Sequence, residues 1–253
     1  MAYKFEDFVR DAHAARNGQP TSFDKPGTTP VMEKLKHVLL PAPIEAMIIM
    51  VRHGDTNLNS DSAGEKIRGW LDVPLNAKGK QQAVAVGQKM ADQPIEKIYT
   101  SNLSRAEDVA KQIRLGIKKT QGREVTVTPT QNLRPWNLGQ FQGQDVEKNR
   151  AKIAAYADKT PTEKVPGGEA FNTFLERTLK FVKARMAESE KTHGAVVLVT
   201  HTRVLRLVDA WVSSGMDGHK YGKDLVAKAD HTPTGGYQLL VKRHGTWVVH
   251  NPS

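Results

Sequence analysis

Met47-Ile48-Ile49-Met50-Val51 is followed at once by Arg52, His53 and Gly54. An uninterrupted apolar run of this length reads as a strand buried on both faces, the kind found in parallel sheets. A strand of that kind needs helices above and below it, which confines the chain to a layered α/β architecture. In open α/β sheets, ligands bind beyond the carboxyl ends of the strands. The residues delivered there are chemically useful. Arginine presents a planar fork of donors that suits phosphate, an imidazole nitrogen can attack phosphorus, and glycine lets the backbone approach closely. A strand end whose Arg and His simply meet solvent would be spelled the same way, so the reading depends on the rest of the chain.

From residue 46 onward, strand and helix patterns alternate. Strands are expected at 47–52, 95–100, 124–128 and 195–200, and the pair 237–241 and 247–250 reads as a closing hairpin. Helices are expected at 77–91 with Asn76 as cap, to about 117 with Ser104 as cap, at 169–189, and after His201 to about 212. The fold expected is a three-layer α/β/α sandwich with a mostly parallel central sheet. Residues 1–45 differ in character and read as an N-terminal arm: one helix to about 16, turn chemistry, and a second helix over 31–40 that stops at Pro41. The arm either packs on the domain or contacts a partner or second subunit. The stretch 131–192 is expected to lie over the pocket and set specificity.

Two more strand ends resemble the first in their chemistry. The second runs Tyr99-Thr100-Ser101 and reaches Arg105 at the start of a helix, and the last runs Val199-Thr200 into His201 and Thr202. Helix N-termini add unpaired N–H groups and a partial positive charge, both favourable to phosphate. The net charge of +10 has no dense tract behind it. It suits a diffuse field that draws in anionic ligands, and it equally suits a solvated surface. Nucleic acid is not indicated, because aromatic residues are few and not interleaved with the cations. Without cysteine there is no disulfide, thiolate metal site or thiol nucleophile, which is compatible with the cytosol. The N-terminus lacks the apolar core of a signal peptide, and no apolar run approaches the ~20 residues of a membrane span.

Arg52-His53-Gly54-Asp55-Thr56 with Asn59, the block Gly69-Trp70-Leu71-Asp72 through Gln82-Ala83, the block Thr100-Ser101 with Leu103, Arg105 and Ala106, and the strand into His201 all occur in one order. In these blocks the chain resembles the histidine phosphatase superfamily, also called phosphoglycerate mutase-like, across residues 47–249. The resemblance implies that His53 becomes phosphohistidine, and that Arg52 and Arg105 clamp the phosphoryl oxygens. It implies that His201, protonated, completes the ring, with Asn59, Arg68, Gly69 and Thr202 as phosphate or substrate contacts. No metal and no cofactor are implied, and the nine histidines show no metal-ligand spacing. The substrate implied is a phosphorylated small molecule or a phosphoprotein.

One block departs from the family pattern. Where members carry an acidic general acid, this chain has Pro135, and Asn137 stands at the acidic position two residues on. Asp55 and Glu169 are the carboxylates left as candidate proton donors. Alternatively, the substrate carries a good leaving group, or the protein binds phosphates without turning them over well. The expected activity is a metal-independent phosphatase working through His53. A mutase-type phosphotransferase and a phosphate-binding protein of the same fold are the alternatives.

Overall fold

The computed structural model describes residues 44–59, 64–192, 194–216 and 232–251. The expected arm, apart from residues 44 and 45, lies outside the described residues, so its helices and its part in assembly are not addressed by the fold. Six strands form one sheet: β1 (Ala46–Arg52), β2 (Ile95–Ser101), β3 (Thr126–Thr130), β4 (Ala195–Thr200), β5 (Tyr237–Arg243) and β6 (Thr246–His250), in the order β3-β2-β4-β1-β5-β6. The pairs β1–β4, β2–β4 and β2–β3 are parallel, whereas β1–β5 and β5–β6 are antiparallel. The sheet is therefore mixed, with the closing hairpin as its antiparallel flank. Its turn, His244-Gly245, has φ of 48° and 73°, the pair of positive values that a two-residue hairpin loop requires.

Every residue of β1 and β4 is buried. Successive side chains point to opposite faces, so each strand feeds two cores. Ala46, Ile48 and Met50 pack with Phe174, Val182, Met186, Leu205, Val208 and Trp211, which come from α4 (Phe171–Thr192) and α5 (Thr202–Ser213). Met47, Ile49 and Val51 pack with Val86, Val109, Ile113 and Ile117 from α1 (Ala77–Lys89) and α2 (Ser104–Gln121). Two apolar faces covered by two helix pairs make the three layers that the continuous apolar strand demanded.

Local chemistry sets the helix ends. Asn76 caps α1 by accepting from the Gly79 N–H at 2.8 Å, as its position suggested. Ser104 does not cap α2, contrary to expectation; it is the first helical residue. The carboxylate of Asp72 caps from another loop, accepting from both the N–H and the hydroxyl of Ser104 at 2.8 Å. The stretch 131–192 divides in two. Its first part holds α3 (Val146–Asp158), a helix that the sequence pattern did not single out. Its last part is α4, tied into the sheet by Ser189, whose hydroxyl accepts from the Met47 N–H at 2.9 Å and donates to the Met47 carbonyl at 3.0 Å. Only the first part can overlie the pocket. No helix among the described residues is long and apolar enough to cross a membrane.

Candidate active site

Because β4 lies between β2 and β1 and all three are parallel, their carboxyl ends meet on one rim. His53 follows β1, His201 follows β4, and Arg105 stands one residue into the helix after β2. The His53 N–H donates to the Thr200 carbonyl at 3.0 Å, fastening the first loop to the neighbouring strand. The two imidazole centroids are 5.0 Å apart. The tight turn depends on Gly54. A Cβ there would sit 2.5 Å from the Gly79 carbonyl oxygen, so a side chain would push the loop off the first turn of α1.

Each imidazole is held by one partner. His53 Nδ1 lies 2.6 Å from the Gly54 carbonyl. A carbonyl can only accept, so Nδ1 carries the proton and Nε2 keeps its lone pair. His201 Nε2 lies 2.8 Å from Ser101 Oγ, while its Nδ1 is buried with no hydrogen-bond partner. Arg105 is almost wholly buried, and its guanidinium donates to the carbonyls of Leu71 at 2.7 Å and Gly69 at 3.0 Å. Arg52 donates to the Thr232 carbonyl at 2.7 Å. Arg68 reaches Thr56 Oγ1 at 3.4 Å and Glu65 at 3.3 Å.

These groups line one cavity of about 210 Å³. Burial lowers the His53 pKa well below its usual value, with Arg105, Arg68 and Arg52 adding to the effect against the raising influence of the Gly54 carbonyl. His201 is lowered for the same reasons: burial first, then Arg105 and His53. Both shifts favour the neutral imidazole. For His201 this runs against the expected imidazolium, since a cation among buried guanidinium groups is disfavoured. Arg105 is pushed down to about 9 by burial and by Arg68, and remains charged at neutral pH.

The other expected site residues divide. Arg68, Gly69 and Thr202 line the cavity. Asn59 does not; its Oδ1 accepts from the N–H and the hydroxyl of Thr56 at 3.0 and 2.8 Å. Neither carboxylate put forward as the acid lies on the cavity wall. Asp55 accepts from Asn76 Nδ2 at 2.9 Å, beside α1. Glu169 is engaged by Arg177 at 2.7 and 3.0 Å and by the Asn137 N–H at 2.9 Å. Pro135 does line the cavity, so the place of the family's acid is on the wall and holds a residue without a proton to give. Glu65 is the carboxylate that lines it, and the sequence reading passed over Glu65. It also passed over Arg150 of α3. Asp145 before Val146, with Asn149, Ile153 and Ala157 buried at helical spacing, is the signal that would have revealed that helix.

Two buried imidazoles ringed by fixed guanidinium groups, at the carboxyl rim of an α/β sheet, make a cationic cavity whose chemistry suits an oxyanion. The chain belongs to the Histidine phosphatase superfamily (branch 1), which it matches over residues 48–232. It is 29% identical to a 2,3-bisphosphoglycerate-dependent phosphoglycerate mutase of Gloeobacter violaceus, over 64% of this chain and 74% of that protein. It is 31% identical to a metal-independent phosphoserine phosphatase of Arabidopsis thaliana, over 64% of this chain and 66% of that protein. Among solved structures, Bacillus stearothermophilus YhfR superposes with a TM-score of 0.64 at 24% identity, over 81% of this chain and 95% of its own. A mycobacterial glucosyl-3-phosphoglycerate phosphatase gives 0.61 at 23%, over 81% and 98%. These two similarities bear on the fold.

Proposed function

We propose that the chain is a metal-independent phosphatase acting on a phosphorylated small molecule through a phosphohistidine on His53. The observation that carries this is the tautomer of His53. With Nδ1–H bound to the Gly54 carbonyl, the Nε2 lone pair is available inside a cavity shared with Arg52, Arg68 and Arg105. Phosphoryl transfer asks a protein mainly for positioning and charge stabilisation, and this constellation offers both.

In the first step the Nε2 lone pair forms a bond to phosphorus while the bond from phosphorus to the ester oxygen breaks. The alcohol leaves with that electron pair and takes up a proton. In the second step water attacks phosphorus, the N–P bond breaks, and phosphate departs with the imidazole neutral again. Arg52, Arg68 and Arg105 balance charge on the phosphoryl oxygens. His201 acts as a neutral donor: if Ser101 donates to Nε2, the buried Nδ1 carries hydrogen and can reach a phosphoryl oxygen. Guanidinium groups supply the charge that a metal would supply elsewhere, so the reaction is expected to survive chelators.

Hydrolysis of p-nitrophenyl phosphate by the wild type, compared with His53→Ala, tests the proposal. Turnover that disappears in the variant supports it, and equal background in both rejects it. A cavity wall with Pro135 in the acid's place favours leaving groups that depart without protonation, so aryl phosphates should outrun alkyl phosphates by about 10²–10⁴-fold in kcat/KM.

A further inference from the structure

The cavity holds more positive charge than one phosphoryl group requires. Seven cationic side chains line it against one carboxylate, Glu65. A phosphate monoester brings about two negative charges. Beyond the groups already assigned, Arg150 of α3 and Arg203 and Arg206 of α5 reach the same cavity. Residues three apart on a helix share a face, which places Arg203 and Arg206 side by side on the first turns of α5.

Arg203 stands apart from the other arginines of the cavity. Arg52 and Arg105 donate to backbone carbonyls, and Arg68 and Arg150 are paired with Glu65 and Glu147. Among the described residues, Arg203 makes no hydrogen bond or ion pair; its guanidinium lies 5.7 Å from the centroid of the Trp136 ring. Trp136 is fully buried and fixed by donation from Nε1 to the Glu169 carbonyl at 3.0 Å, so the cation rests on a rigid platform. Burial, then Arg206, lower its pKa to about 10, against the raising influence of the Glu65 carboxylate and with Arg150 acting in the lowering sense. Arg203 is half-buried, with its guanidinium open to the cavity and no acceptor beside it, so an anion entering there would find three cations and little competing carboxylate.

We propose that Arg203, with Arg206 and Arg150 beside it, forms a second anion subsite, and that the substrate is a phosphate monoester bearing a second anionic group, a carboxylate or a further phosphate. Naming that compound a substrate rests on the phosphatase reading; the subsite itself does not.

Calorimetry with non-hydrolysable phosphonates tests binding apart from turnover. Phosphonopropionate is compared with propylphosphonate, para-carboxybenzylphosphonate with benzylphosphonate, and a xylylene bisphosphonate shows whether a second phosphate group serves as well as carboxylate. At one spacing or both, the doubly anionic compound should bind at least about tenfold more tightly than its parent. Arg203→Gln should remove most of that advantage, and Arg203→Lys should keep part of it, which also covers the case in which the glutamine variant fails to fold. No advantage in the wild type at either spacing, or an advantage that persists in Arg203→Gln, overturns the subsite. Absence of p-nitrophenyl phosphate turnover would instead reject the phosphatase reading and leave the binding result to stand.

Discussion

The imidazoles of His53 and His201 stand 5.0 Å apart and tilted by 58°, each anchored through a different ring nitrogen: His53 by Nδ1 to the Gly54 carbonyl, His201 by Nε2 to the Ser101 hydroxyl. The anchoring leaves opposite nitrogens free, Nε2 on one ring and Nδ1 on the other. One ring can act as nucleophile and the other as donor without either being charged.

The regiochemistry of the intermediate follows. If the His53 tautomer is fixed by Gly54, phosphorylation falls on Nε2. Rapid quenching in base during turnover, followed by phosphorus NMR of the denatured protein, should show the Nε2-phosphoryl isomer. The Nδ1 isomer would break the link between the Gly54 contact and the chemistry.

Ser101 should matter through His201 alone. Ser101→Ala removes the partner that fixes the His201 tautomer, and a hydrogen bond of this kind is worth about 0.5–1.5 kcal/mol, or roughly 2–10-fold in kcat. Because the hydroxyl touches no reacting atom, Ser101→Thr should restore most of the rate. A loss of several hundredfold, unrescued by threonine, would mean that Ser101 contacts the substrate itself.

Arg105 should not be replaceable by lysine. Its planar fork spans the carbonyls of Gly69 and Leu71, and an ammonium group cannot hold both while facing a phosphoryl oxygen. Arg105→Ala should lower kcat/KM by about 10³-fold, and Arg105→Lys by nearly as much. Full activity in the lysine variant would show that only charge is needed.

Stability should fall in mild acid. His53 and His201 both have folded pKa values below the unfolded value of about 6.5. As pH drops below about 6.5 the unfolded chain takes up protons that these two buried rings refuse, so unfolding becomes easier. The slope approaches about 1.4 kcal/mol per pH unit for each ring. The carboxylates with lowered pKa, Glu124, Asp145, Glu147 and Glu188, add their loss only below about pH 4.5. Urea midpoints at pH 7.5 and 5.5 should therefore differ, and His201→Gln should reduce the difference. A midpoint unchanged across that window would mean the rings are not held neutral.

The strand ends were legible in the sequence because burial on both faces leaves an unbroken apolar run, and Ala46–Arg52 and Ala195–Thr200 differ from expectation by a residue at most. β3 was placed two residues early because an edge strand, with Pro129 in it, carries a weaker pattern. What could not be read was contact between distant parts. That Asp72 caps α2, that Asn59 serves Thr56, and that Glu169 is bound by Arg177 each depend on loops meeting in space. The neighbourhood of Arg203, made by Trp136, Arg206 and Arg150, likewise required the fold.

Glu169 illustrates how a residue chosen for chemistry can turn out to hold a wall in place. Its carboxylate and Arg177 form two hydrogen bonds, and the same guanidinium donates to the carbonyls of Gln131 and Asn132 at 3.1 Å, Arg134 at 3.0 Å and Pro135 at 2.9 Å. The pair thus gathers the segment that carries Pro135 and Trp136 to the cavity. Both side chains are largely buried, at 13% and 15% exposure, and breaking such a pair leaves a guanidinium uncompensated at a loss of up to about 3–5 kcal/mol. Glu169→Gln should accordingly lower the urea midpoint, and the alkaline limb of the kcat/KM profile should stay where it is, because no proton is supplied from this position. An unchanged midpoint together with selective loss of alkyl phosphate hydrolysis would reverse the assignment and make Glu169 the proton donor.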